Sequence, residues 1–106
     1  MGYKTDFFYR PVVQNNAPMA AGTYARGQFL GRVTDTGVYA AYDPDGDDGT
    51  ETIRAVAVNS QTLAAAGYGA IAKGEFQKEG IIAVNSGVTM DDALIGALFD
   101  AGIILN

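Results

Sequence analysis

Cysteine, histidine and tryptophan are all absent from the 106 residues. Without cysteine there is no disulfide, no thiolate nucleophile and no sulfur ligand for a metal. Without histidine the usual general base near neutral pH and the commonest metal ligand are missing. Serine–histidine and cysteine–histidine mechanisms are thereby excluded. An enzyme built on this chain would have to work with carboxylates, lysine or tyrosine, so a non-enzyme is expected, with no catalytic residue, cofactor or metal assigned. Positive charge is sparse as well. Seven Lys and Arg stand singly against twelve Asp and Glu, a net charge of −5. No basic run tracks a phosphate backbone, so nucleic acid is not an expected partner. No apolar run is long enough for a transmembrane helix, and a membrane partner is not expected either. "MGYKTDFFYRPVV" lacks the apolar core and cleavage site of a secretory signal. Asp6 stands where the myristoylation pattern has Ser or Thr.

What is present points to one small β-rich domain. Apolar residues make up 48% of the chain, too many for disorder throughout. A chain of this length buries roughly 60–70% of its unfolded surface, enough for a modest core. Residues 1–22 differ in texture from the rest. They carry two prolines, an Asn pair and the aromatics Tyr3, Phe7, Phe8 and Tyr9, with no helical or alternating period. Pro11 and Pro18 favour extended geometry. An extended N-terminal arm over 1–22 is expected, leading into a domain over 23–106. Two readings of its aromatics are open: they fold back on the domain's own core, or they wait for a partner.

From Thr23 the pattern is β. "GVYAAYD" and "TIRAVAV" are short alternating runs, and "TYARGQFLGRV" sets Phe29, Leu30 and Val33 around two glycines, all split by Gly and Asp clusters. "GYGAIAKGEFQKEGII" predicts two more strands, with Gly74 and Gly80 at bulges or turns. One helix is expected, over "TMDDALIGALFDAG". Thr89 with Asp92 three residues on is a relative of the capping box. Leu94, Ala97, Leu98 and Ala101 recur at helical spacing, and Gly102 is placed to end the helix. "IIL" then makes a short last strand.

The densest polar feature is Asp43–Glu51, "DPDGDDGTE". A helix–loop–helix calcium loop wants oxygens at positions 1, 3 and 5, Gly at 6 and Glu at 12. Counting from Asp43, position 6 is Asp48 and position 12 is Arg54, so the pattern fails. Asp43-Pro44, Asp45-Gly46 and Asp48-Gly49 are all turn dipeptides, and a wide turn between strands is the simpler reading. Glu75 with Glu79, or Asp91 with Asp92, could be offered as a carboxylate pair, but nothing in the sequence sets their separation. "GYGAIAKG" matches neither the dinucleotide nor the phosphate-loop glycine pattern.

The order of these pieces resembles the lambda-type family of head decoration proteins of tailed bacteriophages. The string that carries the resemblance is G-x-x-L-G-x-V-T-x-T-G-x-Y-x-x-Y-D-P from Gly27 to Pro44. The Asp-Gly turn after it and the Gly-Ile that follows the helix also match, and the likeness spans about Gly22 to Leu105. The chain departs from the family at "IRAVAV", where members often carry a Gly, and at "IIAVNSG", where many have Trp-Pro. The resemblance implies a mainly β fold, a β-clip-like small barrel or sandwich with one C-terminal helix and an extended N-terminal arm. It implies a homotrimer on the outer surface of the virion head, assembled in the host cytoplasm and bound to the major capsid protein. The head would thereby be stabilised against internal DNA pressure. The arm would add a strand to the shell protein, with Tyr3, Phe7, Phe8, Tyr9, Pro11, Val12 and Val13 as contacts. No small-molecule substrate is implied. The alternatives are a β-rich module that binds a sugar or cation through Asp43–Glu51, and another phage structural component such as a tail-tube protein.

Overall fold

The computed structural model describes residues 8–105, with side chains described from Val12 onward. Ten elements follow in order: β1 (Phe8–Met19), β2 (Gly22–Tyr24), β3 (Phe29–Arg32), β4 (Tyr39–Ala41), β5 (Ala55–Ala57), β6 (Gln61–Leu63), β7 (Gly67–Phe76), α1 (Lys78–Val84), α2 (Asp92–Asp100) and β8 (Ile103–Leu105). The fold is mainly β, 39% strand against 17% helical.

β1, β4, β3, β5 and β7 form a ring, closed because β7 also pairs with β1. β1 and β7 run antiparallel from Phe8↔Phe76 to Met19↔Gly67. β8 adds to β7 in parallel at Gly74↔Ile103 through Phe76↔Leu105. A separate ribbon of β2 and β6 pairs Gly22↔Leu63 to Tyr24↔Gln61.

Alternation along the strands creates two cores, one on each face of the sheet. Ala17, Met19, Tyr24, Leu30, Ala55, Ala57 and Ile71 fill the inside of the ring. Phe29, Ile53, Val56, Ala72, Phe76, Ile81, Leu98 and Ile103 pack outside it, under the helices. β5 shows the switch within three buried residues: Ala55 and Ala57 face inward and Val56 outward. A five-stranded ring leaves little interior room, so small side chains suit the inside.

The expected arm is a strand of the domain's own sheet over Phe8–Met19. β1 lies along the whole of β7 and gives Ala17 and Met19 to the ring core. The boundary expected near Gly22 therefore falls inside the packed unit. Proline is tolerated because β1 is paired on one side only for most of its length. A register shift between Gln14 and Ala17 absorbs the Asn pair. Tyr3 and Phe7 lie outside the described residues. Phe8, Tyr9 and Pro11 have their backbones in β1, and nothing is described of their side chains.

Residues 67–82, expected as two strands, form one long strand and the start of a second helix. α1 has Gly80 inside it and no side-chain cap at Gln77, a poor helix by propensity. Burial of Ile81 and the side chain of Asn85 hold it in place. Asn85 Nδ2 donates to the Ile81 carbonyl at 2.9 Å and to the Gly27 carbonyl at 3.0 Å. Its Oδ1 accepts from the Phe29 amide at 2.9 Å. One buried amide thus ties the end of α1 to the start of β3.

α2 starts two residues later than the Thr89–Asp92 pairing implies. Asp91 is the N-cap, and its Oδ1 accepts from the Leu94 amide at 2.9 Å. Leu98 is buried, with Leu94 and Ala101 packed beside it, as the spacing predicts. Gly102, at φ 84°, turns the chain from helix into β8. Among the described residues no helix is long and apolar enough to cross a membrane.

Candidate functional site

The closed ring has two unlike ends. At one end Tyr24 and Leu63 of the β2–β6 ribbon pack onto the ring core. Tyr24 is buried there, its hydroxyl donates to the Ala20 carbonyl at 2.7 Å, and burial pushes the phenol above its usual pKa. That end is plugged.

The other end is a cationic mouth. Leu30 and Ile71 point into the ring. Two residues further along the same strands, on the same face, come Arg32 and Lys73. Arg54 precedes β5 at the same level, where its amide donates to the Leu30 carbonyl at 2.7 Å. Arg32, Arg54 and Lys73 line one depression of about 290 Å³ together with Val33, Thr34 and Tyr39. All three cations are exposed. Arg32 Nε donates to the Gly37 carbonyl at 3.2 Å, which sets its head along the β3–β4 turn. Among the described residues none of the three makes an ion pair.

Beside the mouth the ring is closed by a single strand pair. β1 meets β4 at Met19↔Tyr39 alone, where the Ala20 amide also donates to the Tyr39 carbonyl at 2.8 Å. Among the described residues the outer edge of β1 from Phe8 to Pro18 has no strand partner. A hollow of about 220 Å³ occupies the seam, lined by Val12, Val13, Gln14, Tyr39, Ile71, Ala72 and Lys73. Tyr39 and Lys73 belong to both hollows, so the mouth and the seam are continuous. Val12 is 73% exposed and Val13 41%. Of the anchors expected from the sequence, these are the two whose side chains are described, and both lie at the seam.

The acidic loop is built as a turn. The Asp43 carboxylate accepts from the Asp45 amide at 3.0 Å. Glu51 accepts from the Gly49 amide at 2.8 Å. Asp48 accepts from the hydroxyl of Thr50 at 2.6 Å and from its amide at 3.1 Å. These bonds hold the Asp48 carboxyl below the usual carboxylate range, the hydroxyl bond most of all. The loop lies flat against β3, where Gly31 leaves space: a Cβ there would run into the Thr50 backbone. Each of these carboxylates thus serves the loop's own backbone. Among the described residues no three carboxylates gather in a metal-binding group. Glu75 and Glu79 sit on different elements, β7 and α1, while Asp91 is occupied as a helix cap.

Two further surfaces stand out. A groove of about 400 Å³ runs between Tyr42, Pro44 and one side of α2. Burial chiefly, then Asp91, Asp43 and Asp45, raises the Tyr42 phenol pKa, so it stays a neutral donor. Its ring meets Phe29 edge-on at 6.4 Å. On another side of α2, Ile95, Phe99 and Ile104 are exposed together around a hollow of about 150 Å³.

The mouth is invisible in the linear sequence, because its cations stand at 32, 54 and 73 with no motif between them. Only strand register brings them together. Neither a family model nor a curated protein nor a solved structure was found to match this chain.

Proposed function

We propose that the protein is a structural decoration protein of a phage head, seated on the outer surface of the capsid as a homotrimer and bound to the major capsid protein. The free outer edge of β1 carries this reading, with Val12 and Val13 exposed beside it. An unpaired edge is a template for another strand, and strand addition supplies affinity through the backbone. The Gly27–Pro44 string that resembles the lambda-type decoration proteins gives the edge its partner, the shell protein. The β-clip-like fold and the shell-binding role of the N-terminal segment belong to the same proposal. β1 begins at Phe8, opposite Phe76, beyond the mouth. Ile95, Phe99 and Ile104 offer an apolar face for contact between copies. Three linked edges would bind with an avidity roughly 10²–10⁴ above that of one.

The test is co-sedimentation with expanded shells that lack decoration, using the full chain and a variant lacking residues 1–7. The full chain should pellet with the shells, and the truncated chain should stay folded and pellet less. Failure of the full chain to bind any expanded shell would refute the proposal. The truncation stops at residue 7 because removing β1 would strip Ala17 and Met19 from the core.

A further inference from the structure

We infer that the cationic mouth and the adjoining seam of the ring form a seat for an acidic extended segment of the partner. The inference rests on the strand-addition reading of β1 and adds the chemistry of the incoming strand.

Three of the chain's seven basic residues line this one hollow, in a protein of net charge −5. Arg32 and Lys73 are not scattered surface charges. Each continues, two residues on, the strand face that carries Leu30 and Ile71 into the ring core. Cations at the rim of a closed ring lie close together and repel one another. No carboxylate of the described residues pairs with them. The other donors in the lining are Thr34 and Tyr39, so the site supplies donors and positive charge. Its complement is a set of carboxylates.

The geometry narrows the ligand further. The mouth opens sideways into the seam through Tyr39 and Lys73. Val12, Val13, Ile71 and Ala72 give the seam an apolar lining beside Gln14, Tyr39 and Lys73, and it adjoins the unpaired edge of β1. Lys73 is the register partner of Val12 on β1. A strand added along β1 would place one face over Val12 and the cations. Acidic residues at alternate positions on that strand would reach Lys73 and the two arginines. A compact anion would use the mouth and leave the seam empty, whereas an acidic strand occupies both.

The test uses the full-length protein and fluorescein-labelled peptides followed by anisotropy. One peptide alternates Val and Glu, a second alternates Val and Lys, and a third is the Val-Glu peptide N-methylated at alternate residues. The Val-Glu peptide should bind, and binding should weaken as salt is raised. The Val-Lys peptide should not bind. N-methylation should remove binding, because it blocks backbone pairing. The double variant Arg54→Gln, Lys73→Gln replaces two exposed side chains and should keep its thermal transition while losing about tenfold in affinity for the Val-Glu peptide. Equal binding by the double variant, or equal binding of the Val-Lys peptide, would overturn the inference. So would tighter binding of a single-stranded oligonucleotide, or self-association of the protein that the Val-Glu peptide fails to compete. Shell co-sedimentation is read separately. Peptide selectivity without shell binding removes the decoration reading, and shell binding that survives in the double variant removes the acidic seat.

Discussion

The two faces of the sheet solve the packing problem in opposite ways. Inside the ring the core rests on small residues, Ala17, Ala55 and Ala57, around Met19, Leu30 and Ile71. Outside it the core rests on large ones, Phe29, Ile53, Phe76, Ile81 and Leu98, under two short helices. The inner core is shaped by backbone closure and has little freedom to expand. The outer core is shaped by side chains and depends on filling a wide space beneath helices of seven and nine residues. Stability in the first comes from fit, and in the second from apolar area.

The sharpest way to break this contrast is to empty the outer core. Phe76 is fully buried at the end of β7. Phe76→Ala should cost about 3–5 kcal/mol, because the helices cannot collapse into the space. Chemical denaturation measures it as a fall in midpoint.

The next largest effect should come from the bond between helix and ring. Asn85→Ala leaves the Phe29 amide and the Gly27 carbonyl without their buried partner, while the Ile81 carbonyl keeps the Asn85 amide at 3.0 Å. A loss of about 2–3 kcal/mol is expected, with hydrogen exchange accelerated at Phe29 and through α1.

The inner core should respond to overfilling. Ala57→Val adds volume where the ring cannot widen, and should cost about 1–3 kcal/mol. The opposite result, a stabilised protein, would mean that the ring interior holds usable space and that the contrast is false.

The smallest effect belongs to the acidic loop and varies with pH. The Asp48 carboxyl is held below its ordinary pKa of 3.8 by Thr50. A lowered folded pKa means that its contribution is present above that ordinary value and is lost as pH falls through the folded one. Asp48→Asn should therefore lower the melting temperature slightly at neutral pH, leave it unchanged in acid below the folded pKa, and so flatten the acid limb of the profile.

Much of this arrangement was legible in the sequence, and the illegible parts share a cause. The strands around Tyr39–Ala41 and Ala55–Ala57 were visible through alternation, the one around Phe29–Arg32 through apolar residues set between glycines, and α2 through its spacing and its Gly102 stop. Wherever local pattern agreed with tertiary packing, the reading held. β1 was hidden because its prolines and Asn pair erase alternation, yet its long register with β7 tolerates both. α1 was hidden because Gly80 weakens it locally, while Ile81 and Asn85 stabilise it from a distance. The same holds for the mouth, whose three cations meet only when β3, β5 and β7 come into register. Long-range pairing supplied what single-residue preference could not.

The register at Phe76 carries one more consequence. Phe8 lies on one side of it and Leu105 on the other, about 10 Å apart at two interstrand spacings. A handful of glycine and serine residues would bridge that gap, so a circularly permuted chain could be reopened at Asp47 without altering the sheet. Unpermuted, two grafted cargoes, one ahead of Phe8 and one behind Leu105, would be displayed side by side on a single pole of the molecule.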